Sequence, residues 1–199
     1  LGEIFSMKTA GPIILIGFKG AGKSLIGRAL AKKLNMEYSD TDAVIEGLHD
    51  IFEGQKLTCR EIHKKYGAEY FRKLETEAIK EALGSAYSVL SFGGGALATM
   101  EAGGLDAGGA LFVHLVVEKE ELYSRIMQDG VPAIFDQDNP RASFEKLYAE
   151  RAPVYERYAT IKVDNTNRKP DEVVDSIVAL MDKIPSASRP PLAAPEPRA

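Results

Sequence analysis

The sequence predicts an α/β domain built on a parallel sheet, and three observations carry that prediction. Ile13–Ile16 (IILI) is a continuous apolar run closed by glycine, the pattern of a central strand buried on both faces. Runs of this kind then alternate along the chain with stretches of helical period. Between the first strand and first helix lies Gly17-Phe-Lys-Gly-Ala-Gly-Lys-Ser24, a full match to G-x-x-x-x-G-K-[ST] in the setting that motif needs.

The elements follow in order. Leu25, Ile26, Ala29, Leu30 and Leu34 give Ser24–Leu34 a helical stripe. Met36-Glu-Tyr38 leads an extended segment into Asp40-Thr-Asp42. Phe71, Leu74, Ala78 and Ala82 mark a second helix over Ala68–Leu83. Tyr87–Phe92 and Leu111–Val117 read as strands, the latter followed by a helix near Glu118–Gln128. A further helix is expected over Ser143–Tyr158, kinked at Pro153, which lacks the N–H a regular interior requires. Ile161–Asp164 is the last strand, and Pro170 opens a closing helix carrying Val173, Val174, Ile177, Val178 and Met181. Ligands on such sheets bind at the carboxyl ends of strands, so the residues just after each strand carry the functional argument.

Bulk properties narrow the classes. The 199 residues fit one ordinary domain, 45% hydrophobic and 27% charged, with net charge −4. Mild acidity argues against a nucleic-acid binder, which needs a basic face. Cys59 is the sole cysteine, so an intrachain disulfide and a thiolate metal cluster are excluded; it reads as a reduced thiol. The longest apolar run is too short to span a bilayer, and no basic region followed by an apolar one opens the chain. The cytoplasm is the default compartment. Leu1–Ser6 precede Met7 and read as a leader or cloning remnant, and Pro185–Ala199 reads as a disordered tail. One domain is expected over residues 7–184.

The glycine-rich loop is a phosphate cradle. Its glycines let successive N–H groups face one phosphate at the positive end of a helix dipole. Lys23 is placed to reach the β- and γ-phosphates of ATP, and the Ser24 hydroxyl to coordinate Mg2+. Asp40 and Asp42, two apart on an extended segment, would point the same way, one toward the magnesium and one toward an attacking hydroxyl. The other reading is a pair of turn or helix-capping aspartates. Gly93–Gly95 follow a strand directly. They form either a flexible turn or a loop that lets backbone amides approach a ligand. Arg72 and Glu75, three apart on a helix, are either a surface ion pair or an arginine oriented onto a substrate carboxylate, with Arg151 a second candidate for that anion.

These residues line up with a known family. The chain resembles the shikimate kinases from Ile13 to Met181, through GFKGAGKS, DTD at Asp40–Asp42, G-x-x-x-FR-x-x-E at Gly67–Glu75, GGG, ERAPVY at Glu150–Tyr155, and VDN with PDEVV at Val163–Val174. The resemblance implies a three-layer P-loop kinase fold with a five-stranded parallel sheet. It also implies a helical substrate-binding insertion over about residues 42–75 and a lid over about 128–142. The implied reaction is transfer of the ATP γ-phosphate to the 3-hydroxyl of shikimate.

By position, the resemblance gives Gly20, Ala21, Gly22, Lys23, Ser24 and Leu25 to the nucleotide, with Arg125 and Asn165 bordering adenine. Ser24 and Asp40 attend the metal, and Lys23 and Asp42 the chemistry. Asp42, Arg72, Gly93, Gly94, Gly95 and Arg151 attend the acceptor, with Glu75 orienting Arg72. A small-molecule acid is the expected partner, with neither nucleic acid nor membrane, in a monomer or weak oligomer.

Four departures stand out. Family lids carry an arginine before a proline, where this chain has Val131-Pro-Ala-Ile134; Arg141 is the candidate substitute. His63 stands where an aromatic such as Phe is usual. Gly47–Lys56 hold about six extra residues, expected on the pocket side. Leu25 and Phe92 replace hydroxyl residues, the latter in the magnesium's surroundings. The alternatives are a kinase of another polyol acid, such as gluconate, and a nucleotide-binding pseudoenzyme.

Overall fold

All strands of a single sheet run parallel, so their carboxyl ends share one edge. The computed structural model describes residues 11–85, 88–128, 130–132 and 134–184; the expected leader and tail lie outside the described residues. In chain order the elements are β1 (Ile13–Ile16), α1 (Lys23–Leu34), β2 (Glu37–Asp40), α2 (Thr41–Glu53), α3 (Cys59–Leu83), β3 (Ser88–Ser91), α4 (Ala96–Ala102), β4 (Leu111–Val116), α5 (Lys119–Gln128), α6 (Pro140–Tyr158), β5 (Ile161–Asp164) and α7 (Pro170–Met181). The strand order is β2-β3-β1-β4-β5.

β1 lies at the centre, with Ile14 in register with Leu90 on one side and Phe112 on the other. Every residue of β1 is buried, as its unbroken apolar sequence requires when helices cover both faces. At the edge, β5 alternates buried and exposed residues. Phe18, Ile26, Leu30, Ile79, Leu97, Phe144 and Ile177 join the strands in the main core. Among the described residues, no helix is long and apolar enough to cross a membrane.

Several expectations need correction. The sequence stripe over 68–83 is the second half of α3, which begins at Cys59 behind a Thr58–Glu61 capping box. Gly67 breaks it with φ 84° and ψ 172°, a conformation that side chains resist. Neither α2 nor α4 is resolved as a helix by the sequence pattern. α2 and α3 enclose a second core of Ile45, Ile62, Leu74 and Ala78. His49, fully buried between them, places Nδ1 3.0 Å from the Tyr70 hydroxyl. Residues 47–56 extend the far end of α2 and its exit; none of them lines the central cavity, contrary to the expected pocket-side position. α6 also starts earlier than expected and continues through Pro153. Its N-cap, Asn139, accepts the Ala142 N–H at 3.1 Å with Pro140 in the first turn.

Candidate active site

The phosphate loop is braced from behind. Gly22 adopts φ 85°, and a Cβ there would lie 2.6 Å from Asn165 Nδ2. That amide donates to the Ala21 carbonyl at 2.8 Å, while the Asn165 N–H donates to the Val116 carbonyl at 2.7 Å. The exits of β4 and β5 therefore fix the loop's curvature. In front, the Phe18 ring stacks on Tyr148 at 5.0 Å and meets Tyr155 edge-on at 5.2 Å, joining the loop to α6.

Lys23 Nζ donates to the Gly17 and Phe18 carbonyls at 2.8 and 2.9 Å. Burial pushes this ammonium down to about 8; the Asp42 and Asp40 carboxylates oppose the shift, and Arg151 adds to it.

Ser24, in the first turn of α1, donates its hydroxyl to Asp40 Oδ2 at 2.7 Å. The Tyr38 hydroxyl reaches the same oxygen at 3.1 Å and lies 3.0 Å from Ser91 Oγ. Gly27 leaves room for this ring, since a Cβ would stand 2.5 Å from Tyr38 Cε2. Phe92 contributes no hydroxyl to this network; Tyr38 and Ser91 supply theirs to the surroundings of Asp40.

The extended geometry read for Asp40-Thr-Asp42 is incorrect. Asp40 ends β2 and caps α2, accepting the Asp42 N–H at 3.1 Å through Oδ1. Asp42 lies in the first helical turn. Both carboxylates still line one cavity, because strand end and helix start meet there. Thr41, buried between them, accepts the Gly93 N–H at 2.8 Å and so latches α2 to the glycine loop.

The glycine loop organises the acceptor side. A Cβ on Gly93 would stand 2.4 Å from Asp42 Oδ1, one on Gly94 2.7 Å from Arg151 Nη1, and one on Gly95 3.0 Å from Arg72 Nη1. None of the three has positive φ, so their glycine character serves space rather than torsion. The Tyr155 hydroxyl donates to the Gly94 carbonyl at 2.9 Å. Arg72 pairs with Glu75 and donates to Thr99 Oγ1 at 3.0 Å, while the Thr99 hydroxyl donates to Glu75. Glu75 is only 3% exposed, so the pair is no ordinary surface bridge.

The Asp42 side chain is open to the cavity, yet the surrounding protein strips enough water from it to raise it to about 6, reinforced by Asp40 and opposed by Lys23; Glu75 and Glu46 add further repulsion. Burial, with the Asp42 charge behind it, also pushes the Cys59 thiol upward, and that thiol donates to the Asp42 carbonyl at 3.3 Å.

A cavity of about 560 Å3 joins the phosphate loop, Asp40, Asp42, Arg72, the glycines and Arg151. His63 lines it too, edge-on to Phe71 at 5.6 Å. Leu25 stands 61% exposed at its rim. Ala21, Arg125 and Asn165 do not line it. Arg125 bonds Glu121 at 2.8 Å and the Asn165 carbonyl at 3.3 Å behind the loop. Arg141 is also absent from the lining: it donates to Glu120 at 2.6 Å, pairs with Glu145 at 2.7 Å and covers the Tyr123 ring.

Sequence reasoning missed Thr41, Tyr155 and Thr99 as supports. Thr41 and Tyr155 stood inside motifs already noticed, whereas Thr99 sits on a short helix with no usable period.

The comparisons with known proteins follow this geometry. Residues 19–182 match the family described as Shikimate kinase. A shikimate kinase from Thermobifida fusca is 37% identical over 164 residues, covering 82% of this chain and 91% of that protein. One from Thermus thermophilus is 36% identical over 167 residues, covering 83% and 87%. Among solved structures, shikimate kinase from Acinetobacter baumannii in complex with shikimate superposes with TM-score 0.76 at 26% identity, covering 90% of this chain and 98% of that one. The enzyme from Aquifex aeolicus gives 0.65 at 30% identity, covering 86% and 96%. A phosphate loop facing a glycine triplet that seats a carboxylate and two guanidinium groups, together with matches of this extent, settles the assignment: the chain belongs to the shikimate kinase family.

Proposed function

We propose that the enzyme transfers the γ-phosphoryl group of ATP to the 3-hydroxyl of shikimate. The observation that carries this reading is the set of close approaches at Gly93, Gly94 and Gly95, which hold Asp42, Arg151 and Arg72 in the same cavity as Lys23. Gly20–Leu25 hold the triphosphate, and Arg125 and Asn165, which brace the loop from behind, border the adenine. Arg72 and Arg151 hold the acceptor carboxylate, with Glu75 and Thr99 fixing the first guanidinium. Asp42 accepts the hydroxyl proton, and partial desolvation in the cavity wall beside other carboxylates gives it the basicity for that task.

Ser24 and Asp40 present hard oxygen donors 2.7 Å apart, a set that suits magnesium retaining water and phosphate ligands. The ion, when bound, neutralises charge on the phosphate oxygens. Rate enhancement then comes mainly from positioning and fixed charge.

A coupled ADP-release assay with MgATP and shikimate, beside gluconate, quinate and a no-acceptor control, tests the reading. Release that depends on shikimate is expected. ATP binding without release above the control would reject the assignment of this acceptor.

Gly94→Ala offers a sharper check. Its methyl group intrudes on a guanidinium at the end of a flexible side chain, so the fold survives while Arg151 is displaced. The expected result is a rise of about ten- to a hundredfold in KM for shikimate, the scale of one charge-assisted bond, with ATP affinity unchanged.

A further inference from the structure

Among the described residues, the lid side of the cavity presents no positive charge of its own. Pro132, Ile134 and Phe135 line it there, and Val131 packs against the core. Arg141, which follows these residues in sequence, is held by two glutamates outside the cavity. Phosphoryl transfer spreads negative charge over the moving group, and that charge needs a cation facing it.

One cation in the cavity lining is uncommitted. Lys19 stands at the second variable position of the phosphate loop and is exposed to the cavity. Among the described residues it makes no hydrogen bond, ion pair or ring contact. The other cations are engaged or already assigned: Lys23 is seated on the Gly17 and Phe18 carbonyls, Arg72 is tied to Glu75 and Thr99, and Arg151 lies against Gly94. Lys19 directly follows Phe18, whose carbonyl takes the Lys23 ammonium and whose ring is clamped by Tyr148 and Tyr155. The backbone that bears Lys19 is therefore rigid and close to Lys23, while its four-carbon stem leaves the ammonium free to swing.

We propose that Lys19 is a catalytic residue that places its ammonium on the γ-phosphoryl group during transfer, supplying from the phosphate loop the charge that the lid lacks. The inference rests on the phosphoryl-transfer reading above. It assigns the loop both lysines of the reaction: Lys23 as a half-buried fixture held by two carbonyls, and Lys19 as a mobile cation reaching the same phosphate.

The test compares affinities for MgADP and for the magnesium complex of the β,γ-imido analogue of ATP by calorimetry, in wild type, Lys19→Met and Lys19→Arg. Lys19→Met is expected to weaken the analogue about tenfold and ADP less than about twofold, since only the former carries the group addressed. Lys19→Arg should retain most of the preference. In the shikimate assay, Lys19→Met should lower kcat about 10- to 100-fold with KM for shikimate unchanged. An analogue-to-ADP ratio equal to that of wild type would overturn the proposal. Should shikimate fail as acceptor, the nucleotide ratio still reports on Lys19, so the two failures are distinguishable.

Discussion

Asp42→Asn is expected to lower turnover about 10²- to 10⁴-fold, the range for removing a general base, while ATP affinity stays within about threefold. Asparagine fills the same volume, which matters because Asp42 Oδ1 sits 2.4 Å from where a Gly93 methyl group would be. It cannot take the proton. The substitution also removes a charge that Asp40 repels, so stability should hold or rise slightly. A second effect follows at Lys23. The Asp42 carboxylate is the foremost charge opposing the burial that lowers Lys23, so its loss lets the ammonium deprotonate at lower pH. Nucleotide affinity in the variant should therefore weaken more steeply than in wild type between pH 7 and 9. Steady-state kinetics and calorimetry at both pH values read the two effects, and undiminished turnover would remove Asp42 from the chemistry.

Gly22→Ala should weaken ATP binding about a hundredfold. A side chain in the left-handed region costs about 1–2 kcal/mol. The methyl group also meets Asn165 Nδ2 at 2.6 Å, displacing the donor to the Ala21 carbonyl. A lost hydrogen bond adds about 1 kcal/mol, and the sum of about 2–3 kcal/mol corresponds to roughly a hundredfold when loop distortion is resisted on binding. Adding Asn165→Ala removes the collision but not the torsional strain or the missing bond, so the double variant should recover only part of the loss. Native-like ATP affinity in Gly22→Ala would show that the brace behind the loop does not control phosphate recognition.

The central strand, the phosphate loop and the order of strands and helices were legible because each is written locally, in an apolar run, a spaced glycine motif or a helical stripe. Asp40–Asp42 shows where local reading ends. Two carboxylates two apart look alike whether the chain stays extended or turns into a helix; here Asp40 caps α2 and decides the matter. The same missed turn concealed α2 and misplaced residues 47–56 relative to the cavity. Arg141 does not line the cavity because Glu120, 21 positions earlier in sequence, captures it. Thr99 was invisible for a similar reason: it supports Glu75, 24 positions away, from a helix too short to show a period. Such partnerships are fixed by tertiary packing.

The glycine triplet gives the active site a common datum. Asp42 belongs to α2, Arg72 to α3 and Arg151 to α6, yet each is gauged against a different residue of one loop, with successive Cα atoms about 3.8 Å apart. Their relative placement is thus set by two peptide units at the end of β3 rather than by the lengths of the helices that carry them. Residues added at the far end of α2 can lengthen the molecule's periphery without changing the distances over which a proton and a phosphoryl group must travel.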